Sequence, residues 1–98
     1  MGEPKPTDRA RLHAVVTGIV QGVNFRYYTV RRARALGLTG WVANRWDGTV
    51  ETVAEGPRAA LQEFLDFLHV GPPAAHVTHV AVRWEEPTGE FTDFRIVY

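Results

Sequence analysis

The sequence contains no cysteine. That excludes disulfides, thiolate nucleophiles and cysteine-ligated zinc. It has no surplus of either charge, with 11 Lys and Arg against 11 Asp and Glu. A general binder of nucleic acid or of an anionic membrane carries a basic excess. Neither partner is expected, although one local positive site remains allowed. No apolar run approaches the ~18 residues of a membrane helix. The first ten residues, MGEPKPTDRA, are polar and broken by proline, unlike a signal peptide. Residues 1–10 therefore read as a flexible tail, and the cytoplasm as the default location. What is present is ordinary for a globular chain: 45% apolar and 22% charged residues in a length of 98. That suits one domain, 11–98, able to bury a core of its own.

RLHAVVTGIV (11–20) alternates. Leu12, Ala14 and Val16 share one face while His13, Val15 and Thr17 share the other, which is strand periodicity. Gly18 and Gly22 bracket a loop. From Asn24 to Leu36 the period becomes helical, with Phe25, Thr29, Ala33 and Leu36 on one stripe. Asn24 is suited to cap that helix through its side chain, and Gly37 to stop it. LTGWVANR and GTVETVAE read as strands joined through Asp47-Gly48, a hairpin signal. Pro57 suits the first position of a second helix, whose stripe is Leu61, Phe64, Leu65 and Leu68. Gly71 and two prolines end it. VTHVAVRW and FTDFRIVY supply two more strands. The order predicts an α+β, ferredoxin-like two-layer sandwich, βαββαβ plus a short C-terminal strand. Two helices would cover one face of a mainly antiparallel sheet. The other face would be partly exposed, in keeping with His13, Thr17, Glu51 and Arg83.

Fold alone does not give function, and the informative stretch is VTGIVQGVNFRYY (16–28). It runs from a strand through a glycine-bearing loop, without one acidic residue, into a helix start. Amides there lack helical partners, and the helix dipole adds partial positive charge. Glycine lets the main chain curl into an amide nest. Arg26 adds a fork of donors matched to phosphate oxygens. Together they describe a phosphate cradle. The bland alternative is a tight turn whose arginine only solvates a helix.

GIVQGVNFR (18–26) resembles the first signature of the acylphosphatase family, and GWVANRWDGTVETVAEG (40–56) resembles the second. Two long motifs in order are specific in a way that neither is alone. The resemblance runs from about residue 10 to the end. It implies hydrolysis of acyl phosphates, which are carboxyl-phosphate mixed anhydrides, to a carboxylate and inorganic phosphate. It also implies Arg26 as the phosphate-binding arginine and Asn44 as the catalytic asparagine. The loop amides of Gln21, Gly22, Val23, Asn24 and Phe25 would complete the cradle. Asn44 would hold a water for direct attack, with no phosphoenzyme, no cofactor and no metal. In a ferredoxin-like sheet the second strand runs beside the third with the first on the other side, an arrangement in which Asn44 is expected to reach the loop. Without the motif it would read as a hairpin cap. A monomer acting on a small-molecule acyl phosphate is expected, with inorganic phosphate as product and inhibitor.

Other residues carry weaker signals. His76 and His79 resemble a metal pair, but residues three apart on a strand face opposite sides. His13 and His69 read as surface residues. Arg31, Arg32 and Arg34 form a basic helix face that either steers anions or is simply solvated. Trp41 reads as packed and Trp46 as exposed. Two alternatives stand beside the enzyme. One is a non-catalytic anion- or nucleic-acid-binding module, which would need the cradle but not Asn44. The other is a carbamoyl-phosphate-handling part of a larger enzyme, against which the single-domain length argues. Nothing in the motifs defines an acyl pocket.

Overall fold

The computed structural model describes residues 8–98. The chain runs β1 (Arg9–Ile19), α1 (Phe25–Ala35), β2 (Thr39–Asn44), β3 (Val50–Pro57), α2 (Arg58–Val70), β4 (His76–Glu85) and β5 (Phe94–Ile96). β1 starts two residues before the expected boundary, and Ala10 is buried. Of the expected tail, residues 1–7 lie outside the described residues. No helix among the described residues is long and apolar enough to cross a membrane.

The sheet order is β4-β1-β3-β2-β5. All neighbouring pairs are antiparallel except β2 with β5, which is parallel. The β1 alternation holds: Leu12, Ala14 and Val16 are fully buried under the helices. So are Val50 and Ala54 of β3 and Val42 of β2. α2 lies over β1, β3 and β4, while α1 lies over β2 and β5. α2 buries the expected Leu61, Phe64, Leu65 and Leu68. On α1 the buried stripe is Phe25, Thr29, Val30 and Ala33. Thr29 is tolerated there because its hydroxyl donates to the Phe25 carbonyl at 2.8 Å. Leu36 caps the helix rather than closing the stripe. Pro57 precedes α2 as its N-cap, one position earlier than expected, because its ψ of 139° is still that of the strand.

Two details differ from the local pattern. Gly18 does not belong to the loop. It lies inside β1 at an irregularity in the β1–β4 register, with φ of 138°, where a Cβ would collide with the His76 carbonyl. Its lack of a side chain serves strand approach, not ligand approach. Glu55 is 1% exposed on the face away from the helices. Its carboxylate accepts from the Thr88 and Gly89 amides at 2.9 Å each, from the Thr88 hydroxyl at 3.1 Å and from Arg11 Nη1 at 3.2 Å. This pins the crossing from β4 to β5.

Burial works against the Glu55 charge, but these donors outweigh it and hold the carboxyl below its usual value of 4.5. Because the folded value is the lower one, the contribution to stability is complete above pH 4.5 and is lost as pH falls through the folded value. Glu55→Gln should cost about 2–3 kcal/mol at neutral pH, the worth of hydrogen bonds to a buried charge. It should also flatten the acid limb of a plot of Tm against pH. An acid limb as steep as that of the wild type would remove Glu55 as its source.

Candidate active site

The loop after β1 is shaped by two residues of positive φ, Gly22 at 77° and Asn24 at 63°. Asn24 is the one non-glycine residue with positive φ among those described. Asparagine tolerates this left-handed conformation better than most residues. The expected side-chain cap is not made. A capping side chain needs an extended N-cap backbone, and the left-handed turn denies it. The residue instead turns the main chain, so that the nest is built from alternating backbone hands.

The amides left over are numerous. Those of Gly22, Val23 and Asn24 have no partner among the described residues. The first bond of α1 runs from the Tyr28 amide to the Asn24 carbonyl at 3.1 Å, so the Phe25, Arg26 and Tyr27 amides are also free, as in any first helical turn. No acidic side chain occupies that turn. The N-terminal end of α1 therefore combines free donors, dipole and guanidinium with no internal anion to neutralise them.

Asn44 reaches the same place from the sheet. The β2 alternation puts it on the helix-facing side with Gly40 and Val42, one step beyond the core and in solvent. Its side chain makes no hydrogen bond among the described residues. The cap of the β2–β3 hairpin belongs instead to Asp47, whose Oδ1 accepts from the Thr49 hydroxyl at 2.6 Å and the Thr49 amide at 3.0 Å. Those bonds hold the Asp47 carboxyl below its usual value, the hydroxyl first and then the amide.

Gly22, Asn24, Phe25 and Arg26 meet Asn44 around one cleft of about 290 Å³. Val20, Tyr27 and Ile96 complete its wall. None of these side chains is acidic, and among the described residues no cluster of His, Asp or Glu could hold a metal ion. Two of the residues expected to give cradle amides also use their side chains elsewhere. Val23 packs its side chain against the core. Gln21 is not part of the cleft wall. Its side-chain amide donates to the Arg45 carbonyl at 2.8 Å and to the Thr49 carbonyl at 2.9 Å. Gln21 thus straps the loop bearing Arg26 to the hairpin bearing Asn44. Phe25 contributes main chain only, since its ring is buried 6.2 Å from that of Phe67. Tyr98 was not signalled by the sequence at all. Its ring lies 5.4 Å from the Arg26 guanidinium.

The remaining candidates fall elsewhere. His13 Nε2 lies 2.6 Å from Glu51 on the open sheet face, half-buried rather than free at the surface. His69 Nδ1 meets the Leu65 carbonyl at 3.0 Å. Trp41 sits on that open face, partly exposed, and Trp46 is fully exposed at the hairpin.

Residues 12–96 match the family model described as Acylphosphatase. A relative named Acylphosphatase from Pelotomaculum thermopropionicum is 52% identical over 90 residues, covering 92% of this chain and 98% of its own. Another of that name, from Moorella thermoacetica, is 56% identical over 86 residues, covering 88% and 91%. Among solved structures, the acylphosphatase from Bacillus subtilis superposes with a TM-score of 0.88 at 42% identity, covering 91% of this chain and 99% of that one.

Proposed function

The chain belongs to the acylphosphatase family, a hydrolase of acyl phosphates, and from that premise we propose how its own residues carry out the reaction. Arg26 and the free amides from Gly22 to Arg26 bind the phosphoryl group. Their donors match its equatorial oxygens and stabilise the charge that spreads over them in the transition state. Asn44 holds a water on the phosphorus in line with the acyl oxygen. The P–O bond to the acyl group breaks as the water oxygen bonds to phosphorus. The leaving carboxylate is a weak base, so no general acid is required. An amide is too weak a base to take the water's proton, which passes to a phosphoryl oxygen. No phosphoenzyme forms. The single observation that carries this reading is that Arg26, the free loop amides and the unengaged Asn44 side chain converge on one cleft. Because one chain completes that cleft, a monomer suffices.

The test is phosphate release from benzoyl phosphate in excess chelator. Activity is expected to persist, since among the described residues no carboxylate or imidazole lines the cleft. Inorganic phosphate should inhibit competitively, because the cradle recognises product and substrate by the same group. Activity lost to the chelator and restored by a divalent ion would overturn the metal-free mechanism. Non-competitive inhibition would place phosphate somewhere other than the cradle.

A further inference from the structure

A second groove opens beside the cleft, between α1 and the edge strand β5. Tyr27, Val30, Arg31 and Arg34 form one stripe of α1, at helical spacing, facing Arg95 and Ile96 of β5 across about 340 Å³. Tyr27 and Ile96 also wall the cleft, so the two spaces are continuous. Asn44 lines the cleft and not the groove. An acyl group lying in the groove therefore leaves the water side clear, as an in-line displacement requires.

The charge of the groove is uneven. Arg95 is paired with Asp93 at 3.0 Å. Arg34 makes one bond, from Nε to the Phe94 carbonyl at 3.1 Å. Arg31 lies 5.7 Å over the Tyr27 ring. Among the described residues Arg31 forms no ion pair, and Arg34 has no carboxylate within contact distance, although after the Arg95 hydrogen bond and charge its own charge also helps hold the Asp93 carboxyl low. Among the described residues no acidic one lines the groove. Arg31 stands one turn beyond Tyr27 and Arg34 about two turns, so their backbone positions lie roughly 5–10 Å along the axis from Tyr27, which also walls the cleft. That separation matches the far end of a small acyl group, not the phosphoryl group itself.

We propose that this groove seats the acyl half of the substrate and selects acyl phosphates bearing a second anionic group, held by Arg31 and Arg34. The proposal rests on the acyl-phosphate reading of the cleft. A planar guanidinium fork suits a carboxylate or a phosphate-type anion, and the aromatic and aliphatic wall covers the carbon skeleton between the two charges.

The test compares kcat/KM for 4-carboxybenzoyl phosphate and benzoyl phosphate, with 4-phosphonobenzoyl phosphate as a third probe. The wild type should favour at least one charged probe over benzoyl phosphate by about tenfold, the scale of a charge-assisted pair. Whichever charged probe gains more names the distal group. Arg31→Gln with Arg34→Gln should abolish that preference while benzoyl phosphate turnover stays within about twofold. Arg31→Gln alone breaks no main-chain bond and should remove part of the preference, which covers the case of an unstable double variant. A wild type without preference, or a preference that survives both substitutions, overturns the proposal. So does an equal fall on all probes, which would make these arginines general steering charges. Failure to hydrolyse even benzoyl phosphate would instead strike the acyl-phosphate reading beneath it.

Discussion

Arg26→Lys is expected to lose nearly as much activity as Arg26→Ala, each on the order of 100-fold or more in kcat/KM. Lysine keeps the charge but replaces a rigid fork by a single mobile ammonium. The cradle needs donors fixed in the direction of two phosphoryl oxygens at once, since a donor that must be ordered during the reaction stabilises little. Affinity for inorganic phosphate should weaken in parallel, because Arg26 acts on the group present in both substrate and product. The fold should survive. Among the described residues the Arg26 guanidinium lies against the Tyr98 ring, and an exposed contact of that kind is worth about 0.5–1 kcal/mol. Turnover, phosphate affinity and Tm measured on the same samples check this. A lysine variant with near wild-type turnover would show that charge alone suffices.

Asn44→Ala is expected to lower kcat by on the order of 100-fold or more while phosphate affinity changes little. Arg26 and the loop amides hold the phosphoryl group, whereas Asn44 acts on the water. An interaction made mainly in the transition state is lost as turnover and not as ground-state binding. Stability should move by less than about 0.5 kcal/mol, as for a surface side chain without partners. The hairpin cap is already supplied by Asp47. Unchanged turnover per folded molecule would remove Asn44 from the mechanism. The cradle would then be an anion site of unknown purpose, which is the binding-module alternative.

The sequence by itself determined the elements, their order and the family. Those are local matters: the period of two in Leu12-Ala14-Val16, the helical stripe Leu61-Phe64-Leu65-Leu68, glycine at the helix ends, and two long motifs in order. It also singled out Arg26 at the start of α1 and Asn44 at the end of β2. Tertiary structure alone decided the rest, because it depends on partners far along the chain. Gly18 reads as loop until β4 brings the His76 carbonyl against it. Asn24 reads as a side-chain cap until the loop forces its backbone into the left-handed region. Gln21 reads only as one more cradle amide, and the fold shows in addition that its side chain crosses to Arg45 and Thr49 and joins the two halves of the site. Nothing local marks Glu55 for burial, and the chain from β4 to β5 buries it. The groove of Arg31 and Arg34 exists only because β5 pairs in parallel with β2 and sets Arg95 and Ile96 opposite α1. Periodicity reports which face of an element is apolar. It carries no information on which distant backbone will arrive at that face, and here those arrivals shape the cleft and the groove beside it.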